Sequence, residues 1–235
     1  MTSSRRDRLR QSTLTEIREA ARTLLTTKGS AAVTINAVAR EVGMSGPALY
    51  HYFSGHEEMV QAVTADFFAE LAAEMRVARD AHADGSIAAR LLATCRAMRG
   101  WAVAHPAEFG WIFASPVPSS VTRSPDSPRN LAGREFEHVF QEEFTQLWET
   151  SPFPVPDDLA PAIRDQLRVY RDQLDVELPV EVLYVTTSCW IRLYGLLCME
   201  VLNQLDYVYT DMEPIYEECL RDITGKLGLQ YEPPD

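Results

Sequence analysis

The residues whose types and spacing could do chemistry in this chain gather between Thr34 and Tyr52, in the run TINAVAREVGMSGPALYHY. Ser45, Tyr50, His51 and Tyr52 offer hydroxyls and an imidazole, while Gly46 and Pro47 add little bulk between them. Such a set suits hydrogen bonding to a nucleic acid. Small residues let a helix come close to base edges, and tyrosine hydroxyls reach phosphate oxygens. Catalysis finds no comparable support in the sequence. No Ser-x-Gly elbow, phosphate-cradling glycine loop or metal-spaced His/Glu pair occurs, so neither a metal nor a cofactor is expected. An enzyme reading, a helical hydrolase or transferase, would have to rest on His105 or His138.

The elements that must carry these residues can be read from capping and periodicity. Thr34 is an N-cap signal, and Ile35, Val38, Ala39 and Val42 follow at the spacing that gives a helix one buried face. Gly43 can take the left-handed conformation that ends this helix, and Met44 then plugs the corner. Ser45 caps a second helix with Gly46 and Pro47 in its first turn, where the missing proline N–H is not needed. Leu49 and Phe53 face inward, which leaves Ser45, Gly46, Pro47, Tyr50, His51 and Tyr52 as a short, nearly chargeless outward surface. The pattern is that of a helix-turn-helix, although two helices packed in an ordinary helical protein would read the same way.

The flanks extend the pattern. Thr13-Leu14-Thr15-Glu16 has the form of a capping box, and Ile17, Ala20, Ala21, Leu24 and Leu25 then form an apolar stripe that ends at Lys28-Gly29. Ser54-Gly55-His56-Glu57 is a second such box. It opens a longer helix through Met59, Val60, Val63, Phe67 and Leu71.

From Thr13 to Val63 the chain resembles the N-terminal domain of TetR-family transcriptional repressors. The resemblance is carried by a helix ending in Lys-Gly, then Thr-Ile-x-x-Val-Ala-x-x-x-Gly-Met-Ser, Ala-Leu-Tyr-x-Tyr-Phe and Glu-x-Met-Val. It implies an all-α protein with a three-helix DNA-binding head at 1–55, and a larger helical domain at 56–235 that dimerises and binds a small molecule. By the same resemblance Thr34, Ser45, Gly46, Pro47, Tyr50 and Tyr52 would touch DNA, with His51 beside them. His56 stands where most relatives have lysine; a histidine, mostly neutral at pH 7, predicts a weaker or acid-dependent phosphate contact there.

Charge supports the division. The chain carries a net −12, and residues 1–56 hold 8 Lys/Arg against 4 Asp/Glu while the remainder is strongly acidic. An acidic body repels nucleic acid and leaves the basic head as the contact surface, with Arg5, Arg6, Arg8 and Arg10 read as a flexible arm for phosphates or a minor groove. A solvated disordered tail is the alternative for that arm. With 235 residues and 46% hydrophobic content the chain can build a sizeable core. Arginines without an apolar run behind them argue against a secretory signal. The most apolar stretch, Val182 to Leu202, is interrupted by Arg192 and Glu200 and reads as a buried helix, so a cytoplasmic protein without a membrane partner is expected. Cys95, Cys189, Cys198 and Cys219 lack the paired spacing of zinc sites and read as reduced core residues.

Beyond the head, helical patterns run over Ser86 to Ala104, from Pro106 through Phe113, over Glu135 to Trp148 and around Ile163 to Leu174. They are separated by two proline-rich stretches, residues 115–130 and the cluster Pro152 to Pro161, both read as irregular. A long helix is predicted from Pro179 to about Tyr209, and another over Met212 to Leu227. Met98, Trp101, Trp111, Phe113, Phe140, Phe144, Trp148, Tyr170 and Trp190 could line an apolar effector cavity, although aromatic stripes at helical spacing are more often plain core. Arg96, Arg99 and Arg192 are candidate polar anchors, with an Arg192–Glu200 ion pair competing for the last.

Gly195 in mid-helix costs about 1 kcal/mol against alanine, which points to close approach of a partner backbone. Tyr194, Gly195, Cys198, Leu202 and Ile223 are therefore read as a dimer interface, in which two helices doubled by symmetry make four. Trp190 to Gly195 is similar to the Trp-x-x-x-His-Gly element of one TetR subclass, with Tyr194 in place of histidine. The resulting expectation is a homodimer that binds a palindromic operator on double-stranded DNA and is released by a hydrophobic or aromatic effector. A helical protein-interaction adaptor without DNA binding is the alternative.

Overall fold

A computed structural model describes residues 4–115, 126–174 and 176–234. Among them every regular element is a helix. The all-α expectation holds.

Helix α1 (Arg5–Lys28) begins well before the Thr13 signal. The reason is an earlier capping box. The Ser4 hydroxyl accepts from the Asp7 N–H at 3.2 Å, and the Asp7 carboxylate accepts from the Ser4 N–H at 3.1 Å. Thr13 lies inside the helix with its hydroxyl donating to the Leu9 carbonyl. Arg5, Arg6, Arg8 and Arg10 are thus helical, which corrects the flexible arm.

After the short turn Ser30–Ala32, helix α2 (Ile35–Glu41) starts where Thr34 accepts from the Ala37 N–H at 3.2 Å. Gly43 has φ +69° and lets the chain leave α2, while the Met44 N–H closes the corner on the Ala39 carbonyl at 2.8 Å. Helix α3 (Gly46–Leu49) is capped by Ser45 through the Ala48 N–H at 3.3 Å. It is shorter than the pattern suggested. Past Leu49 the chain tightens into i to i+3 bonding, with the Tyr52 N–H on the Leu49 carbonyl at 2.9 Å. Helix α4 (His56–Asp80) follows. Its entry is held by Glu58, whose carboxylate accepts from the Ser54 N–H.

Helices α5 (Ile87–Ala104) and α6 (Pro106–Phe113) fall where predicted. Helix α7 (Pro128–Thr150) starts earlier than Glu135, because Ser127 caps it through the Asn130 N–H. The end of the proline-rich stretch is therefore helical, and residues 116–125 lie outside the described ones. Helix α8 spans Pro161–Leu174 and α10 spans Glu213–Lys226.

Helix α9 (Val180–Val201) stops short of Tyr209. Asn203 takes φ +55°, its N–H reaches the Glu200 carbonyl, and the Gln204 N–H reaches the Met199 carbonyl at 2.8 Å. That is a Schellman ending with asparagine where glycine is usual. By length and composition α9 could cross a membrane, but Val182, Leu183, Cys189, Leu193 and Leu197 on it are buried within the protein.

The chain divides into two compact units, Met1–Leu71 with His105–Phe136, and Ala72–Ala104 with Glu137–Asp235. In the first, Ile17, Leu24, Val38, Leu49, Phe53, Met59 and Val63 are buried together with Phe67, Phe109 and Ile112. This unit is braced by Arg22. Its guanidinium donates to Glu70 on α4 at 2.6 Å and to the buried Glu108 on α6 at 2.7 Å. The second unit has a core that includes Leu92, Met98, Trp101, Leu147, Leu197, Tyr216 and Leu220. There the Tyr216 hydroxyl donates to the Cys95 carbonyl.

Candidate functional site

The helix-turn-helix places most of the residues expected to meet DNA in solvent. Thr34, Ser45, Pro47, Tyr50 and His51 are exposed, Tyr50 by 55%, and Gly46 and Tyr52 are half-buried. Thr34 and Ser45 each use an oxygen lone pair on a backbone N–H, so each keeps its own hydroxyl proton for an acceptor such as a phosphate. Gly46 faces α2: a Cβ there would lie 2.6 Å from the Asn36 side-chain oxygen. Arg5 and Arg6 are exposed on the first turn of α1. His56 is exposed, with its Nε2 lying 2.7 Å from the Val33 carbonyl oxygen.

Two side chains of this region, Asn36 and Glu58, were not singled out from sequence, and Arg10 was read only as part of the arginine arm. Asn36 packs against Gly46, Glu58 holds the start of α4, and Arg10 reaches the end of the reading segment, with its guanidinium 3.3 Å from the His51 carbonyl and 5.4 Å from the Tyr52 ring centre. Arg10 sits two turns ahead of Ile17, on the stripe that α1 turns toward the head. That spacing was the available signal.

The aromatic residues proposed for an effector cavity fall into separate groups. In the first unit Trp111 donates from Nε1 to the Thr64 hydroxyl at 2.9 Å, and Phe113 lies edge-on to Phe68 at 5.7 Å with Phe109 and Phe136 beside it. Arg129 lies over the same Phe68 ring at 5.9 Å. Among the described residues no carboxylate faces it, and burial lowers its pKa. In the second unit Phe140 lies between Phe144 and Trp190, and Trp190 stacks on Tyr194 at 5.5 Å. Met98 and Trp101 are fully buried core, Trp148 packs on Phe153, and Tyr170 is half-buried. Burial, helped by Glu137, pushes the Tyr170 hydroxyl up to about 12.

The expected polar anchors are already engaged. Arg96 holds Glu217 through two bonds of 2.9 and 2.8 Å, and Arg99 holds Glu200 at 2.8 Å. Arg192 pairs with Asp222, so the anticipated Arg192–Glu200 pair does not form. Those partners are far apart in sequence, beyond the reach of helical spacing.

Of the proposed interface residues, Tyr194, Gly195 and Cys198 are half-buried and Leu202 is 45% exposed. Tyr184, Ile191 and Met199 add exposed apolar surface to α9, and nothing lies within 4 Å of a Cβ built on Gly195. Ile223 differs. It is mostly buried within the single chain, 8% exposed, on the stripe with Tyr216 and Leu220.

Two family models match the chain: that of the bacterial regulatory proteins of the tetR family over residues 17–63, and that of the tetracyclin repressor-like C-terminal domain over residues 91–223. The chain belongs to the tetR family. Its relatives include HTH-type transcriptional regulators of Mycobacterium tuberculosis and Mycobacterium bovis, 29% identical over 80% of this chain and 80% of theirs. Among solved structures, the regulatory protein SCO4313 is similar with a TM-score of 0.71 and 27% identity, over 94% of this chain and 100% of that one. A tetR family transcription regulator from Shewanella sp. PV-4 shares the fold at a TM-score of 0.60 and 15% identity, covering 91% and 95% of the two chains. This tetR-family protein is accordingly an HTH-type transcriptional regulator, with a DNA-binding head and a helical C-terminal domain.

Proposed function

We propose that this tetR-family regulator is a cytoplasmic homodimeric repressor that reads a palindromic operator and is released by a small apolar or aromatic effector. The observation that carries the reading is the exposed Tyr50 at the end of a one-turn, uncharged helix, flanked by a capped Ser45 and by Gly46 and Pro47. Thr34, Ser45, Gly46, Pro47, Tyr50, His51 and Tyr52 supply the contact surface, and Arg5 and Arg6 supply phosphate-directed charge from helix α1. Two heads reading two half-sites compensate for the small contact area of one.

The exposed apolar side chains of α9, with Gly195 open among them, support pairing of two copies through that helix. The effector would lie against aromatic side chains such as Trp111 and Phe113, and Arg129 offers it the cation that Arg96, Arg99 and Arg192 cannot. An effector that favours a different spacing of the two heads must weaken operator affinity by the factor by which the operator weakens effector binding.

The test is selection of duplexes from a random library, followed by gel shift. A palindromic site whose binding falls steeply with salt is expected, and Tyr50→Ala should abolish the shift while leaving helical content unchanged. Undiminished binding by Tyr50→Ala would overturn the assignment of the reading surface. Failure to select any duplex would favour a helical adaptor.

A further inference from the structure

A helix as short as α3 does not hold itself together. Fixing the first turn of a helix costs more backbone freedom than a single hydrogen bond returns. Ser45 secures the N-terminal end of α3. The other end lies among the turn residues Tyr50, His51 and Tyr52, and a side chain from a different helix reaches it there. Arg10 places its guanidinium 3.3 Å from the His51 carbonyl oxygen and 5.4 Å from the centre of the Tyr52 ring. A cation at the C-terminal end of a helix complements its carbonyl dipoles. A flat guanidinium can donate to that carbonyl while stacking on an aromatic face, which a lysine ammonium cannot do in the same geometry.

We propose that Arg10 is a positioning residue for sequence reading. Its guanidinium fixes the C-terminal end of the reading helix against α1, so that it acts on DNA through His51 and Tyr52 rather than through a phosphate of its own. The inference rests on the reading of Ser45 to Tyr52 as the DNA-contacting surface. It divides the four N-terminal arginines by role: all four are exposed on α1, but Arg5, Arg6 and Arg8 project charge, whereas Arg10 also bonds to the turn that follows α3.

The test uses Arg10→Lys and Arg10→Gln in the full-length chain. Two probes are needed: a duplex enriched from a random library by the unaltered protein, and a scrambled duplex of equal length. Each is titrated across a salt series. Amide hydrogen exchange at His51, Tyr52 and Phe53 is followed without DNA. Both variants should lose about tenfold in affinity for the enriched duplex, the scale of one cation–π contact and one hydrogen bond. Affinity for the scrambled duplex and the salt slope should stay close to the unaltered values, and exchange at Tyr52 and Phe53 should quicken.

A different pattern would overturn the proposal. If Arg10→Lys binds normally while Arg10→Gln lowers the salt slope by about 0.9 per protomer, Arg10 is a phosphate contact. Unchanged exchange in both variants would equally remove the clamp. If the unaltered protein enriches no duplex, the operator reading fails by itself, and the exchange measurement still decides whether Arg10 holds the segment.

Discussion

The Nε2 of His56 lies 2.7 Å from the carbonyl oxygen of Val33, tying the first residue of α4 to the residue just ahead of the α2 cap. A carbonyl only accepts, so Nε2 carries the proton and donates. The exposed imidazole, read from the family resemblance as a weaker or acid-dependent phosphate contact, thus also braces the head. His56→Ala should cost about 1 kcal/mol of stability, the usual worth of one hydrogen bond. Urea denaturation of the purified protein measures it, and an unchanged midpoint would show that the tie contributes nothing.

Gly46 and Asn36 make a second testable pair. A Cβ at residue 46 would sit 2.6 Å from the Asn36 side-chain oxygen, which must then move. Gly46→Ala should therefore cost only about 0.5–1 kcal/mol, the scale of turning one exposed side chain off its rotamer. Asn36→Ala removes the obstructing group, so the double substitution should recover most of that loss. Additive losses in denaturant melts would show that the strain lies elsewhere.

The Arg22 brace should show strong coupling. Glu108 is 4% exposed at its side chain and relies on Arg22, which is itself 31% exposed and shared with Glu70. Arg22→Leu leaves a carboxylate in the core and should destabilise by about 2 kcal/mol, less than the 3–5 typical of a fully buried pair because the guanidinium keeps some solvent. Arg22→Leu combined with Glu108→Leu should be less damaging than Arg22→Leu alone. A double variant as unstable as the sum of the two singles would refute the coupling.

The cysteines give a pH-dependent prediction. Burial pushes the Cys95 thiol up to about 12 and the Cys189 thiol up to about 11. Burial also raises Cys198 and Cys219, with Arg192 opposing the rise at Cys219. A raised thiol pKa means less thiolate at neutral pH, and the thiolate is the reactive form. Alkylation by iodoacetamide at pH 8 should therefore be slow in the native protein, faster as pH rises toward 11, and complete only after unfolding. Rapid native labelling of Cys95 read by mass spectrometry would contradict its place in the core.

Local signals made the head legible and long-range pairing did not. Thr34, Gly43 and Ser45 act on amides within a few residues of themselves, so their roles follow from spacing alone. The start of α1 is hard to read because two capping-box patterns occur, and only the Ser4–Asp7 one lies at the helix start. Helix α9 ends before Tyr209 because Asn203 takes a left-handed position, which its short polar side chain tolerates and which leaves no mark as plain as glycine's. The partners of Arg96, Arg99 and Arg192 lie on other helices, and only the packed chain selects them. Aromatic spacing found residues that do pack on other rings, yet it could not tell which rings share a neighbourhood.

Helix α3 bears neither lysine nor arginine, and this has a bearing on how selectivity responds to ionic strength. Contacts made by hydroxyls, an amphipathic ring and bare backbone release few condensed ions when they form. Added electrolyte should then shorten the time spent on any duplex, cognate or not, while the ratio between right and wrong sites changes little. A regulator built this way would lose grip before it loses discrimination.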